Sequence, residues 1–297
     1  MGRPAPILED TNSDMSFHSR TARGAEGEIC GDGRMSPGDR LRYMARNFAR
    51  NFGFRRSTVK LTSFCMPRQS RTSGLVSPSR SLTEAFLSLQ LPRLLPVGEI
   101  RVLDIGCGAG GVVRLLEELG YRGSYVGIDV QDGFNRDVQP GFEKKFLVVD
   151  AHHYQSDEKF DLVISVSALE HIPDDGRLVA RLGNFLTPRG LQLHFVPSEW
   201  ALPVYLWHGY RQYTVASLEE RFGADRTAVF PLGGAASFLL HLLFITGWEI
   251  LLRVSLRKRF SRLYTGLLDA SLAIDRYLPV LGTFYAVVWR AALPSRI

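Results

Sequence analysis

The chain has 297 residues, 45% of them hydrophobic and 22% charged, which predicts a globular protein with ample apolar surface for a core. Its net charge of +6 is uneven, because residues 1–80 hold fourteen Lys and Arg against seven Asp and Glu, whereas residues 81–297 are nearly balanced. Its three cysteines show no metal-ligand spacing, which argues against a disulfide framework or a metal site and favours a reducing, cytoplasmic location.

Residues 1–80 mix Gly, Ser, Arg and Pro without sustained periodicity, and we expect them to form a disordered basic tail outside the folded domain. No acidic residue occurs from Arg40 to Arg80. Four interpretations stay open: an upstream extension from a misassigned start, a transit peptide, a polybasic membrane arm or a nucleic-acid arm. The first of these, or a plain solvated tail, is favoured.

Residues 102–111, VLDIGCGAGG, join an apolar run typical of a buried parallel strand to a glycine-dense turn, and an amphipathic helix, VVRLLEEL, follows. Glycines let the backbone turn sharply and approach a ligand, while the first N–H groups of the helix face the same place. The strand ends near Asp104, whose carboxylate is expected at the ligand end of the sheet. The segment therefore predicts a nucleotide cradle, although its GxGxxG spacing alone leaves a dinucleotide open.

Later strands end in further acidic residues and extend this pattern. SYVGIDV closes with Asp129, KKFLVVD closes with Asp150, and a fourth strand runs into the turn of FDLVISVSALEHIPDD. With these motifs, residues 100–200 resemble the class I S-adenosylmethionine (SAM) dependent methyltransferases. An NAD-binding site also requires an acidic residue about 20 residues beyond the glycines, and Asp129 lies near that position. The Asp before the first glycine and the LEHIPDD turn favour SAM.

The resemblance implies SAM as cofactor, and a carboxylate can accept both hydrogen bonds of a ribose diol. The residues that it assigns to SAM are Asp104, Gly106, Gly108 and Gly110 for the methionine part, Asp129 for the ribose hydroxyls, Val130 for the adenine face, Asp150 with the backbone of Ala151 for the adenine edge, and Ser165, through its main chain, for the methionine amino group.

Residues 198–224 follow the fifth strand, LQLHFVPS, and are rich in aromatic side chains. The resemblance implies that this stretch forms a lid over the transferred methyl group. Methyl transfer to a hydroxyl requires alignment of the acceptor and a base that removes its proton. Histidine titrates near neutral pH, so His208 is the first candidate and His171, in LEHIPDD, the second. The alternatives are a polar lid residue for His208 and a turn-stabilising residue for His171.

Residues 231–282 are expected to form a helical insertion. Its run AASFLLHLLFITGWEILL is the longest apolar segment, and it precedes the basic residues Arg253, Arg257, Lys258, Arg259 and Arg262. A transmembrane helix needs roughly 20 apolar residues, and burial of His241 and Glu249 at the centre of a bilayer would be energetically costly. TFYAVVWR also predicts a strand, and the resemblance implies that this last strand returns to the same sheet. We therefore expect a helix at an anionic membrane interface or over the substrate, with a buried helix pair as an equal alternative.

Together these features predict an α/β domain over residues 81–297, with a doubly wound, mostly parallel, seven-stranded Rossmann-like sheet and an antiparallel last strand. The expected function is SAM-dependent methyl transfer to a small or lipid-linked acceptor. Because no NPPY-like motif follows the fourth strand, an oxygen acceptor is favoured, and no nucleic-acid partner is expected. The alternatives are a catalytically silent SAM-binding scaffold protein and, less favoured, an NAD-dependent oxidoreductase.

Overall fold

The structure is a computed structural model that describes residues 28–53, 55–69, 75–135 and 141–291. Within these ranges one sheet contains seven strands: β1 (Glu99–Ile105), β2 (Arg122–Asp129), β3 (Phe142–Val148), β4 (Phe160–Val166), β5 (Leu186–Pro197), β6 (Thr227–Leu232) and β7 (Phe284–Arg290).

The strands lie in the order β3-β2-β1-β4-β5-β7-β6. Strands β1 to β5 are parallel, and β7 runs antiparallel between β5 and β6. The predicted sheet with its antiparallel last strand is therefore confirmed. The strand order reverses between β1 and β4, and in open α/β sheets the crevice at the carboxyl ends of the strands beside this point is where ligands bind.

Helices cover both faces of the sheet. Their bounds are α1 (Pro37–Phe52), α2 (Pro78–Leu94), α3 (Gly111–Glu118), α4 (Asp175–Leu182), α5 (Leu202–Tyr205), α6 (Val215–Phe222), α7 (Ala235–Leu240), a π-helix (His241–Leu251), α8 (Leu256–Arg259) and α9 (Ser261–Asp275). Buried side chains of α2, α3 and α9 form one core with the sheet, and those of α4 and α6 form a second core on the opposite face.

Helix α1 packs against the domain, although its residues lie in the predicted tail. Its buried stripe consists of Tyr43, Asn47 and Asn51, spaced four residues apart. Asn51 Nδ2 donates a hydrogen bond of 3.3 Å to the side-chain oxygen of Gln212. Two of the three stripe residues are polar, so hydrophobic periodicity does not reveal this face.

The structure contradicts the prediction that residues 1–80 as a whole form a disordered tail. Met66 is 3% exposed and belongs to a hydrophobic core, and Leu61 makes a β-bridge to Val229 of β6. The boundary at residue 80 is therefore wrong for residues 28–53 and 55–69. Residues 1–27 lie outside the described residues.

The stretch predicted as a lid divides into two parts. The first part, residues 199–213, includes α5 and carries His208. The second part, α6, packs on α4 and buries Leu218 and Phe222 in a core. The helices from α7 to α9 form the helical insertion, residues 233–283, between β6 and β7. Of the helices that the structure describes, none combines the length and apolar character required to cross a bilayer.

Candidate functional site

The glycine-rich turn between β1 and α3 is held against the end of β2. The backbone N–H of Gly106 donates to Ile128 O at 2.8 Å, and that of Gly108 donates to Asp129 Oδ2 at 2.9 Å. Gly106, Gly108 and Gly110 have φ values of 68°, 50° and 80°, a region that favours glycine. The predicted loop and the acid at the end of β2 are therefore brought together.

The space around this turn decides which glycines touch protein and which face outward. A Cβ at Gly106 would lie 2.5 Å from Ala168 Cβ, so this glycine permits contact with the turn after β4. A Cβ at Gly108 would meet no atom of the described residues within 4 Å. The turn is thus packed on one side and open on the other, which leaves room for a ligand.

Asp104 lies inside β1 and is 1% exposed. Tyr125 Oη donates to its Oδ2 at 2.6 Å, whereas its Oδ1 is buried without a hydrogen-bond partner among the described residues. Burial raises the pKa of Asp104 to about 7, and the charge of Asp129 acts in the same direction against the Tyr125 hydrogen bond. A buried acceptor without a partner is costly, so a cationic donor at this place would be stabilising.

The residues predicted to contact the ribose and adenine of SAM lie beside the ends of β2 and β3. Both oxygens of Asp129 accept backbone N–H groups, of Gly108 and of Gln131, and a carboxylate has lone pairs for two further donors. Val130 is 56% exposed. Asp150 accepts the backbone N–H of His152 at 2.8 Å, and Ala151 is buried.

Ser165 lies within β4 and pairs with Ile105 of β1 and His194 of β5. Its hydroxyl lies 2.7 Å from His194 Nδ1. Burial lowers the pKa of His194 to about 3, so this imidazole is neutral and has a structural role. The residue that projects beyond the strand is Ser167, which has a φ of 52° and donates from Oγ to Glu170 Oε1 at 2.6 Å.

His171 and His208 meet at the carboxyl end of β4. Their ring centroids are 4.6 Å apart and their planes are nearly perpendicular, at 87°. His171 follows the turn that contacts Gly106, so the pair lies beside the glycine loop. The ring of Tyr205 stacks on His208 with centroids 5.4 Å apart. The two histidines predicted as catalytic candidates are therefore neighbours.

Both histidines face Asp32, a residue of the segment 28–33, which we call the N-terminal strap. Asp32 Oδ2 lies 2.7 Å from His171 Nδ1, and Asp32 Oδ1 lies 3.4 Å from His208 Nδ1. The backbone N–H of Gly209 also donates to Asp32, at 3.1 Å. Gly31 N in turn donates to Gly209 O at 2.7 Å, which fastens the strap to the loop that carries His208.

This arrangement changes the protonation of both partners. Burial opposes ionisation of Asp32, but hydrogen bonds from His171 and His208 outweigh it and hold the pKa of Asp32 well below its usual value. Burial also opposes protonation of His171, but its hydrogen bond to Asp32 and the charge of Glu170 raise the pKa of His171 above its usual value. The site therefore favours an ionised Asp32 beside a readily protonated His171.

Glu170 is fully buried between the two imidazoles. Its Oε1 lies 3.9 Å from His171 Nε2 and 3.8 Å from His208 Nε2, and its Oε2 has no hydrogen-bond partner among the described residues. The three side chains each offer one ligand atom within 4.8 Å of the others. Two imidazoles and a carboxylate could hold a divalent cation, although the cysteine pattern predicted no metal.

A family model described as a methyltransferase domain matches residues 39–222, more than half of the chain. The chain belongs to this methyltransferase family. The match begins inside α1, in agreement with the packing of that helix on the domain. The resemblance identified from the sequence is confirmed, and this methyltransferase is a class I SAM-dependent enzyme with SAM as its cofactor. An NAD-dependent oxidoreductase is thereby excluded.

Curated relatives of the methyltransferase include ubiquinone biosynthesis O-methyltransferases. That of Bradyrhizobium diazoefficiens is 31% identical over 33% of this chain and 40% of the relative, and that of Azorhizobium caulinodans is 29% identical over 34% and 41%. The chain thus spans about two fifths of the length of the curated relatives it matches.

Solved structures similar to the methyltransferase include phosphoethanolamine N-methyltransferase 2 of Haemonchus contortus in complex with S-adenosyl-L-methionine, at 18% identity over 71% of this chain and 57% of that chain, with a TM-score of 0.43. A second is a cyclopropane synthase from Mycobacterium tuberculosis, at 16% identity over 77% and 88%, with a TM-score of 0.43.

The residues of the methyltransferase fit SAM. The unpartnered oxygen of Asp104 and the open space at Gly108 suit a ligand that carries an ammonium group, and the remaining lone pairs of Asp129 suit a diol. Sequence reasoning missed Asp32, Glu170 and Tyr205. The letters of LEHIPDD included Glu170, but no local signal marks Asp32, which is 139 residues from His171.

Proposed function

We propose that the protein transfers the methyl group of SAM to an oxygen of a small or lipid-linked acceptor, with His208 as the base and His171 as its alternate. The observation that carries this proposal is the pair of imidazoles beside the glycine loop, both oriented by Asp32. Bound SAM supplies a methyl group that is already activated by its sulfonium. The protein therefore has to align the acceptor and take up its proton.

The orientation of the imidazoles supports this role. In each ring Nδ1 faces the Asp32 carboxylate, which favours the tautomer with the proton on Nδ1. Nε2 then carries a lone pair that can accept the hydroxyl proton of an acceptor entering beside Glu170, whose Oε1 lies 3.8 Å from His208 Nε2. Each ring has about a fifth of its side-chain surface exposed, 22% for His171 and 23% for His208, which leaves access from outside.

The cofactor roles of individual residues are part of the proposal. The loop Asp104–Gly110 would hold the methionine part, with the free oxygen of Asp104 near the ammonium group. Asp129 would accept both ribose hydroxyls, and the exposed side chain of Val130 would be covered by adenine. Asp150 and Ala151 would contact the adenine edge, and the main chain near Ser165 would approach the amino group.

The acceptor proposal rests on the surroundings of His208. Its ring is stacked by Tyr205, and Tyr205 in turn packs edge-to-face on His241, with centroids 4.7 Å apart. Such aromatic walls suit an apolar or aromatic acceptor. The curated relatives are named for an O-methylation in the biosynthesis of ubiquinone, a lipid quinone. An acceptor of this kind resides in a membrane. We therefore include in the proposal that the protein contacts the membrane peripherally.

The test is a transfer assay with isotopically labelled SAM and two phenolic acceptors, one with a short isoprenoid tail and one without. We expect transfer to oxygen and a lower KM for the tailed phenol. His208→Gln should lower kcat by about 100-fold or more, the range of a general base, while calorimetry shows an unchanged affinity for SAM.

His171→Gln is the matched comparison, because it removes the neighbouring imidazole from the same carboxylate. A larger loss for His171→Gln than for His208→Gln would make His171 the base. Full activity in both variants would contradict the proposed proton transfer, and SAM binding without transfer to any oxygen acceptor would favour the catalytically silent protein.

A further inference from the structure

The helical insertion carries most of the exposed apolar surface of the described residues. Thirteen of their twenty exposed large apolar side chains lie between residues 239 and 280. Leu243, Leu251 and Leu252 are 59%, 57% and 59% exposed, and Trp248 is 43% exposed. A concentration of large exposed apolar side chains in one segment indicates an interaction site rather than ordinary protein surface.

Helix α9 shows the same feature within one element. Its inner face buries Tyr264, Leu268 and Leu272 in the core. Its outer face exposes Leu263, at 56%, and Leu267, at 36%, where a surface helix of a globular protein normally carries polar residues. The helix is therefore apolar on a face that the described part of the domain does not cover.

The basic residues next to this apolar surface divide into two groups. Arg257 is 7% exposed and forms an ion pair with Glu249, with Nη2 and Oε2 2.6 Å apart, so it is internal to the insertion. Lys258, Arg259 and Arg262 are exposed, and among the described residues they form no ion pair. The cluster seen in the sequence thus contains one structural arginine and cations that face solvent.

We infer that the outer side of the helical insertion docks on an anionic lipid bilayer. Exposed leucines and a tryptophan supply apolar and interfacial contacts, and unpaired cations beside them supply attraction to lipid phosphates. From residue 241 to 282 the insertion has six Lys and Arg against three Asp and Glu, and one of these acids is paired internally with Arg257. This positive excess complements an anionic headgroup surface.

The inner side of the same insertion reaches the candidate catalytic histidine. Thr246 of the π-helix donates a hydrogen bond to Val204 O in α5, and His241 packs on Tyr205, the ring that stacks on His208. A docked insertion would therefore hold the methyl-transfer site next to the lipid surface. The link to a lipid-linked acceptor rests on the proposed function, whereas the docking itself does not.

The test uses the full chain without SAM or acceptor. Co-sedimentation with vesicles of phosphatidylcholine containing anionic phosphatidylglycerol should give salt-sensitive binding, and pure phosphatidylcholine should bind far less. The triple variant Lys258→Gln, Arg259→Gln, Arg262→Gln should weaken partitioning about 100-fold, because each cation near an anionic surface contributes about fivefold. The double variant Leu251→Gln, Leu252→Gln should weaken it at both low and high salt.

The matched control removes the same charge elsewhere, by Arg122→Gln, Lys145→Gln and Arg189→Gln, all exposed positions outside the insertion. Equal losses in the control and in the insertion variant would overturn the inference, since binding would then follow net charge alone. Absence of binding to anionic vesicles would overturn it as well. A concentration-dependent dimer that is abolished by the Leu251/Leu252 change would assign the surface to a second copy of the chain instead.

Discussion

Asp32→Asn keeps the shape of the side chain and removes the charge that orients both histidines. The native carboxylate is 4% exposed and lies 2.7 Å from His171 Nδ1 and 3.4 Å from His208 Nδ1. A hydrogen bond to a charged group contributes about 1.5–3 kcal/mol, which corresponds to roughly 10- to 150-fold in a rate or equilibrium constant. We expect kcat to fall within this range.

The pH dependence gives the more specific result. A proton on His171 places a positive charge beside His208, so the rate should rise with pH as His171 loses that proton. Asp32 raises the pKa of His171, which puts the rise above the ordinary histidine value of about 6.5. In Asp32→Asn the charge that raises the pKa of His171 is lost, so the increase in rate with pH should occur at lower pH.

The assay is a pH–rate profile together with SAM titration calorimetry, with Asp157→Asn as the control because Asp157 is an exposed carboxylate that, among the described residues, forms no hydrogen bond or ion pair with His171 or His208. SAM affinity should be unchanged, since Asp32 contacts the histidines and Gly209 rather than the glycine loop. The reasoning is refuted if the profile of Asp32→Asn keeps its native midpoint, or if Asp157→Asn loses as much activity.

Thermal unfolding of the same variant tests the ion pair independently. The pKa of Asp32 is lowered in the fold, so its contribution is present above about pH 4 and is lost as pH falls through the lowered value. The pKa of His171 is raised, so its contribution is present below about pH 6.5 and is lost as pH rises through the raised value. The loss of stability caused by Asp32→Asn should therefore be largest between about pH 4 and about pH 6.5.

Three further outcomes are expected. Asp129→Ala should weaken SAM binding by at least roughly 10- to 150-fold in calorimetry, because loss of even one of the two diol hydrogen bonds to the charged carboxylate costs about 1.5–3 kcal/mol; an unchanged affinity would remove Asp129 from the cofactor site. A chain that starts at residue 81 should have a markedly lower Tm, since loss of a buried side chain such as Met66 costs about 2–5 kcal/mol. A Tm equal to that of the full chain would instead support the prediction that residues 1–80 are a tail outside the folded domain. Treatment with EDTA should leave methyl transfer unchanged if the histidines carry protons; a loss that Zn²⁺ or Mn²⁺ reverses would assign Glu170, His171 and His208 to a cation.

The sequence by itself determined the glycine-rich turn beside the strand-end acids and the type of sheet. The glycines at 106, 108 and 110 and the acids at 104 and 129 each adjoin a strand end, and the carboxyl ends of parallel strands lie at one edge of a sheet. A local pattern is then enough, because the fold class brings these strand ends together. TFYAVVWR is a compact apolar run that predicts a last strand, whereas its antiparallel direction was implied by the resemblance to the methyltransferases.

Only the tertiary structure decided which groups surround His171 and His208. Asp32 is 139 residues from one and 176 from the other, in a segment without periodicity, and the buried face of α1 consists of Tyr43 and two asparagines. Arg257 likewise has the same letters around it as the exposed cations, yet it is internal because Glu249 lies within 2.6 Å. Hydropathy reports the average tendency of a side chain to leave water, whereas burial of a polar or charged group depends on a specific partner, and chain packing alone supplies that partner.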